Sequence, residues 1–388
     1  MMQFSNLLEI ALLSADYFAI IIKGDKMKKV AKGFLILILT VIVISGCGKK
    51  QAYEKYSTSF FDTFDTAVRI VGYTESEEEF NSYAEKIHKR FQELHQLYDI
   101  YNDYEGINNI KTINDNAGIK PVKVDKEIID LIVFSKDWYE KTNGVTNIAL
   151  GPVLRIWSHY REEAEYDPLN AKLPPMEELL EANKLTNIDK VIVDTEENTV
   201  FLEEKGMSLD VGAVAKGFAT EIVAKEIMTE GFTSGMISAG GNVRALGKPL
   251  DGIRERWGIG IQNPDSFIFS DDSELLDTIF INNSSVVTSG DYQRYYVVDD
   301  KIIHHLIDSK TLMPGEYFRA VTIVTEDSGL ADFLSTTVFL MPYEEGRNLV
   351  DSLEEVEALW VMKDGTVEAT DGMKKIMKSN GASGTKAN

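Results

Sequence analysis

The chain has 388 residues, 44% apolar and 26% charged, with 28 Gly and 9 Pro; this is the composition of one large folded domain or two modest ones, and it excludes disorder and collagen-like repeats. With 62 Asp and Glu against 40 Lys and Arg, the net charge of -22 argues against a nucleic-acid partner held by phosphate neutralisation. One cysteine, Cys47, permits neither an internal disulfide nor a cysteine zinc cluster.

From Met27 the sequence reads Lys28, Lys29 and Lys32, then a nearly unbroken apolar run over 34–44, then Ser45-Gly46-Cys47. A basic segment, a short apolar segment and small residues before a cysteine form the pattern of a lipoprotein signal peptide. The run is too short to cross a bilayer core of about 30 Å. Residues 1–46 are expected to be removed and Cys47 to be lipidated, leaving 47–57 as a tether and the body on the extracytoplasmic face of the cell membrane. A complete signal begins at Met27, so residues 1–26 point to an over-long start assignment.

Ser76-Glu77-Glu78-Glu79 is a capping-box pattern, and Phe80, Tyr83, Ile87, Phe91, Leu94 and Tyr98 follow at helical spacing, which predicts an amphipathic helix over 76–100. A second helix is predicted after Asp125, carrying Ile128, Ile129, Ile132, Trp138 and Tyr139 and stopped by Asn143-Gly144. Helices are thus expected to dominate the first third. Strands are predicted over 190–194, 199–202, 257–261 and 295–298, and 358–363 with 366–369 reads as a hairpin about Asp364-Gly365. The whole reads as α+β with mostly antiparallel sheet. No linker divides the body over 58–372, and 373–388 reads as a disordered polar tail.

Common catalytic signatures are absent. Gly212-Ala213-Val214-Ala215-Lys216-Gly217 puts its lysine before the second glycine and lacks the following Ser or Thr, so it is not the phosphate loop of a nucleotide triphosphatase. His88 and His95 lie seven apart with no third ligand nearby and read as solvated surface histidines. What remains is four glycine- or acid-rich turns, at 142–152, 208–217, 238–242 and 288–291. Free N–H groups at the head of the helix after Asp210, with the Lys216 ammonium, suit a phosphate, although a tight packing turn has the same glycines. Asp332 and Thr336 are i and i+4 on a predicted helix and offer two hard oxygen donors suited to Mg²⁺. A polar helix face would look the same.

Taken in order, 210–217, Ser238-Ala239-Gly240-Gly241-Asn242, Thr288-Ser289-Gly290-Asp291-Tyr292, His304-His305-Leu306-Ile307-Asp308 and Ala331-Asp332-Phe333-Leu334-Ser335-Thr336 resemble the ApbE family of FAD:protein FMN transferases. Upstream, Phe64-Asp65-Thr66 and Thr142-Asn143-Gly144-Val145-Thr146-Asn147 with Gly151-Pro152 resemble two further stretches of that family, and the likeness covers about 57–370. Asn147 stands where many members have Asp, Phe64 where many have Met, and Leu312-Met313 where Gly-Tyr often follows. The resemblance implies an ApbE-like, T-fold-related single large domain with flanking helices. It implies that FAD is bound as substrate with Mg²⁺, that FMN passes to a Thr or Ser hydroxyl of an extracytoplasmic acceptor flavoprotein, and that AMP leaves. By family position Asp332 and Thr336 would hold the metal, with the Ala213 carbonyl. Phe64, Tyr101, Gly144, Val145, Thr146, Asn147, Asp210, Lys216 and Ile307 would line the flavin nucleotide. His305 is the candidate for the acceptor's proton, since imidazole titrates near neutrality. Water as acceptor would make the same site an FAD pyrophosphatase, and binding without reaction would make a flavin-binding lipoprotein; the Asp332/Thr336 pair favours catalysis.

Overall fold

The computed structural model describes residues 53–265 and 275–386, and the expected signal peptide and Cys47 lie outside the described residues. The described chain opens on a hairpin, β1 (Glu54–Thr63) and β2 (Thr66–Thr74). Its turn residues, Phe64 and Asp65, have φ of 53° and 50°, the doubly left-handed backbone whose twist suits a two-residue hairpin. The stretch expected as a tether to residue 57 is therefore corrected: pairing begins at Glu54, opposite Thr74.

Next comes α1 (Glu77–Tyr98), where the Ser76 hydroxyl accepts from Glu79 N at 3.2 Å and the Glu79 carboxylate accepts from Glu75 N at 3.0 Å. Its apolar stripe, Phe80, Ala84, Ile87, Phe91 and Leu94, is buried as the helical period requires. The chain continues through α2 (Ile110–Asp115), β3 (Val122–Lys123), α3 (Lys126–Lys141), α4 (Gly151–Tyr166), α5 (Met176–Asn183), β4 (Val191–Asp194), β5 (Thr199–Leu202) and α6 (Ala215–Thr229). Then follow β6 (Gly235–Ala239), β7 (Asn242–Leu246), β8 (Trp257–Gln262), β9 (Leu275–Ile281), β10 (Ser285–Gly290), β11 (Tyr295–Val298), β12 (Lys301–His304) and β13 (Phe318–Thr325). The last elements are α7 (Ser328–Phe339), α8 (Tyr343–Ser352), β14 (Glu357–Met362), β15 (Val367–Ala369) and α9 (Asp371–Ile376).

Among the described residues, β1-β2-β6-β7-β10-β13-β14-β15 form one eight-stranded sheet, antiparallel at every pairing. Its inner strands are buried on both faces. On β13, Val321 and Ile323 pack toward α7 while Ala320 and Val324 pack toward the β8–β9 ribbon; on β14, Trp360 and Leu359 divide the same way. That is the two-residue period of a strand with a core on each side. The first face carries α1 and α6 over β2 and β6 and α7 over β10 and β13. A small cluster joins α4 to the β11–β12 hairpin through Trp157, Tyr296 and Ile303.

The mixed architecture agrees with the sequence reading, with two further corrections. The 358–369 hairpin closes through Gly365 N to Met362 O at 3.0 Å with Gly365 alone at positive φ (85°), a glycine-bulge turn and not the tight two-residue form. The expected polar tail is docked: Met373 and Met377 are buried, Ser379 Oγ donates to Asp277 Oδ2 at 2.5 Å, and Gly384 O accepts from Glu255 N at 2.7 Å.

Candidate functional site

The turn ahead of α6 is built from its own short-range bonds. Asp210 Oδ1 accepts from Gly212 N at 2.9 Å, and Val211 O accepts from both Val214 N and Ala215 N, at 3.0 and 2.8 Å. Two distant segments hold it in place. Asp210 N donates to Ile148 O at 2.8 Å, and the Asn114 amide brackets Leu209, accepting from its N at 2.7 Å and donating to its O at 3.0 Å. Gly217 N, one of the first-turn N–H groups that have no partner within α6, donates to Asp332 Oδ2 at 2.8 Å on α7. Among the described residues no backbone N–H donates to the Ala213 carbonyl. A side chain at Gly217 would put its Cβ 2.2 Å from Ser328 O and 2.4 Å from Asp332 Cβ, so only glycine allows α6 and α7 to approach this closely.

On α7, Asp332 and Thr336 share a face as their spacing predicts, and both are buried. Hydroxyls lock that face to its neighbours: Ser289 Oγ of β10 lies 2.8 Å from Ser335 Oγ and 3.4 Å from Thr336 Oγ1, and Thr337 Oγ1 lies 2.7 Å from Thr146 Oγ1. Burial raises the Asp332 pKa, opposed by the Lys216 ammonium and the Gly217 N–H. Asn242 of β7 is buried beside the same carboxylate, and its side-chain amide also opposes the rise. The Asp332 carboxylate is thus buried among the Gly217 N–H, the Asn242 amide and the Lys216 ammonium.

Asp210 is held above its ordinary pKa by burial, against the Gly212 N–H and the charges of Lys216, Arg161 and Arg294. Lys216 Nζ reaches Gly212 O at 3.3 Å. His305 senses two of the same cations. Burial first, then Arg294, His304 and Lys216, push its pKa down to about 3. Its Nδ1 lies 3.2 Å from Arg294 O, which fixes the proton on Nδ1 and leaves Nε2 as the acceptor. Its neighbour His304 serves the fold: its Nε2 donates to Gly315 O at 2.8 Å and its Nδ1 accepts from Leu306 N at 3.2 Å.

The structure brings Asp210, Lys216 and His305 into one electrostatic neighbourhood, with Asp332 joined to it through Lys216. Tyr101 belongs to it as well: the surrounding protein and then the Asp210 carboxylate push its phenol pKa up. The loop bearing Tyr101 is cradled by Asp99, which accepts from Tyr101 N at 2.6 Å and Tyr104 Oη at 2.7 Å. Phe64, in its left-handed turn, donates its N–H to His95 Nδ1 at 3.3 Å and packs on Phe91 and Tyr98. His95 is thus tied into the fold, contrary to the surface reading. Ser309 Oγ donates to Gly144 O at 3.0 Å and Val145 O at 3.2 Å, which fixes that turn. Asn147 uses both ends of its amide locally, accepting from Ala149 N at 2.8 Å and donating to Thr186 O at 2.9 Å. Ile307 is buried and bridges to Pro314.

Asn114, Asp99, Arg161 and Arg294 are absent from the sequence reading. Asn114 meets its partner 95 residues away, and no local pattern marks such an amide. A cleft of about 480 Å³ near Asn283, Glu326 and Glu357 is larger than the one of about 380 Å³ beside Gly144, Asn147 and Ser309, but it holds none of the residues above. The buried Asp332 carboxylate and the turn bearing Lys216 meet at the α6–α7 crossing.

The segment 64–360 matches the ApbE family. A relative from Klebsiella pneumoniae (strain 342) named FAD:protein FMN transferase is 30% identical over 278 residues, covering 71% of this chain and 81% of the relative. One of the same name from Treponema pallidum (strain Nichols) is 28% identical over 353 residues, covering 87% and 93%. The crystal structure of the ApbE protein from Thermotoga maritima superposes with a TM-score of 0.72 at 28% identity, over 83% of this chain and 98% of that one. The flavin transferase ApbE from Vibrio cholerae shares the fold with a TM-score of 0.68 at 20% identity, over 84% and 99%. With its fold, its ordered motifs and most of its length accounted for in this way, the chain belongs to the ApbE family.

Proposed function

We propose that this protein is a FAD:protein FMN transferase that binds FAD with Mg²⁺, moves FMN to a Thr or Ser hydroxyl of an acceptor flavoprotein, and releases AMP. The observation that carries the reading is the α6–α7 crossing, where Gly217 N meets Asp332 Oδ2 at 2.8 Å beside Lys216. The donor set fits the metal. A carboxylate (Asp332), a hydroxyl (Thr336) and the bared Ala213 carbonyl are hard oxygens of the kind Mg²⁺ takes. Among the described residues no three His, Cys, Asp or Glu side chains gather as a metal cluster, so phosphate oxygens of the nucleotide would complete the shell. Bound there, the cation would neutralise charge on the pyrophosphate.

The chain's own residues supply the rest. Lys216 donates to phosphate oxygens, the Asn242 amide helps hold the Asp332 carboxylate, and Tyr101 and Phe64 offer ring faces to the nucleotide. The acceptor's oxygen attacks the FMN phosphorus, the bond from that phosphorus to the AMP oxygen breaks, and the hydroxyl proton departs toward Nε2 of His305. His305 is neutral in the free protein, with the lone pair on the correct nitrogen. The protein is further proposed to act on the extracytoplasmic face of the cell membrane, anchored through lipidated Cys47. No helix among the described residues is long and apolar enough to cross a membrane.

The test mixes the chain from Gly48 onward with FAD, Mg²⁺ and an acceptor domain. Expected are an acceptor heavier by one FMN less one water, and AMP. Free FMN and AMP with unlabelled acceptors would mean a pyrophosphatase; intact bound FAD would mean a binding protein. Labelled palmitate entering the wild type but not Cys47→Ala would support the anchor.

A further inference from the structure

A second contact between α6 and α7 lies one turn from the Gly217–Asp332 bond. Glu221 on α6 is buried, and its Oε2 accepts both Ser328 N at 2.9 Å and Arg244 Nε at 3.0 Å. Ser328 is the first residue of α7, about one turn ahead of Asp332, and Glu221 is likewise about one turn beyond Gly217. The helices therefore run antiparallel and are pinned twice, at Gly217/Asp332 and at Glu221/Ser328. Arg244 comes from β7 and is itself buried, with Nη1 donating to Ala245 O at 3.0 Å, so the second pin is fixed to the main sheet. Lys225 spans the outer edge, reaching Glu221 Oε1 at 3.3 Å and Asp327 Oδ2 at 3.1 Å. Asp327 caps α7 by accepting from Leu330 N at 3.0 Å.

A buried ion pair is weak evidence for stability, because two apolar side chains of like volume serve the core as well or better. What an apolar pair cannot do is accept from Ser328 N. We propose that the buried Glu221–Arg244 pair sets the register of α7 against α6 and so aims the Asp332 carboxylate, which makes Glu221 a positioning residue for the site. Arg244 holds the Glu221 carboxylate in place, Glu221 holds the head of α7, and Asp332 follows one turn later. The inference rests on the reading of Asp332 as a metal ligand only where metal is measured; the aim of its carboxylate is measurable without metal.

The experiment compares the wild type with the double variants Glu221→Met/Arg244→Met and Glu221→Gln/Arg244→Met in the full chain. The first removes both charges and the acceptor for Ser328 N; the second restores an acceptor oxygen without either charge. Hydrogen exchange at the Gly217 amide, read without metal, reports its bond to Asp332. Mn²⁺ and Mg²⁺ binding is read by calorimetry. Expected is a folded Met/Met variant, by circular dichroism, whose Gly217 amide exchanges about tenfold faster and whose metal affinity falls about tenfold or more, as for outer partners of metal ligands elsewhere. The Gln/Met variant should return both toward the wild type. Unchanged exchange at Gly217 in a folded Met/Met variant overturns the proposal, as does a Gln/Met variant no better than Met/Met. If exchange responds as expected while the wild type binds neither cation, positioning stands and the metal reading falls.

Discussion

The Gly217 N–H and the Asp332 carboxylate meet at 2.8 Å across two helices that no side chain at Gly217 would let so close. Gly217→Ala would gain helix propensity, but its Cβ would sit 2.2 Å from the Ser328 carbonyl, and backbone cannot swing aside as a side chain does. The expected outcome is a loss of about 1–3 kcal/mol in urea unfolding, as for overpacked cores. Turnover should fall further than stability alone explains, since Asp332 is displaced.

Asp332→Asn should separate stability from activity. Burial raises the Asp332 pKa, so the native state holds that proton more tightly than the unfolded chain. The resulting stabilisation is present below the unfolded value of about 3.9 and is lost as pH rises through the folded value. At pH 7 without metal, the neutral amide is therefore expected to melt higher than the wild type, by about 2–4 °C for each kcal/mol relieved. The gap should close on acidification toward pH 4. Mg²⁺-dependent FMN transfer should be lost. A wild type that outlasts the variant at pH 7 without metal would contradict the burial argument.

His305 carries the opposite sign. With its pKa pushed down to about 3, it sheds its proton on folding, so protein stability falls as pH drops below the ordinary histidine value of 6.5 toward 3. His305→Gln should flatten that limb in melts between pH 6.5 and 4. It should also cut acceptor labelling by about 10²–10⁴-fold, the usual range for a lost acid–base group. FAD binding should be retained, checked by flavin fluorescence quenching.

Ser379 is bound to Asp277 through both Oγ, at 2.5 Å, and N, at 3.2 Å. Ser379→Ala leaves the Asp277 Oδ2 atom without its hydroxyl donor in a largely buried setting. A loss of about 1–3 kcal/mol is expected in denaturant unfolding. Deleting 379–388 should cost more, because the Gly384 carbonyl also pairs with Glu255 N and Arg256 N.

Much of this architecture is legible in the residues themselves. The stripes of α1 and α3, the β4–β5 pair and the Asp332/Thr336 face follow from periodicity, which acts over a few residues and survives any tertiary context. The β1–β2 hairpin is hidden because Phe64 and Asp65 adopt left-handed backbone without the Asn-Gly or Asp-Gly signal, held instead by packing and by the bond to His95. The site divides the same way. Lys216 and Asp332 stand in motifs whose order along the chain is visible. Asn114 acts on Leu209, and Glu221 on Arg244 and Ser328, across separations that only the folded sheet closes.

The docked C-terminus has a consequence for biosynthesis. Among the described residues the β8–β9 ribbon forms its own two-stranded sheet; Ile279 bridges to Met377 and Asp277 accepts from Ser379, while Gly384 and Thr385 pair with residues 254–256 just ahead of β8. All of these C-terminal partners follow β15, the last strand of the main sheet, and are synthesised after it. While the chain is being made, the α1 and α6 side of the molecule can form before its opposite face, since domains assemble from the N-terminal end during synthesis. The ribbon packs its apolar row of Ile259, Ile261 and Ile279 on sheet residues such as Ala320, Val324 and Leu359, but its Asp277 gains its donor only once Ser379 has been made. A nascent chain stalled near residue 370 would hold the row against the sheet but leave Asp277 and the Ile279 backbone without their partners at Ser379 and Met377.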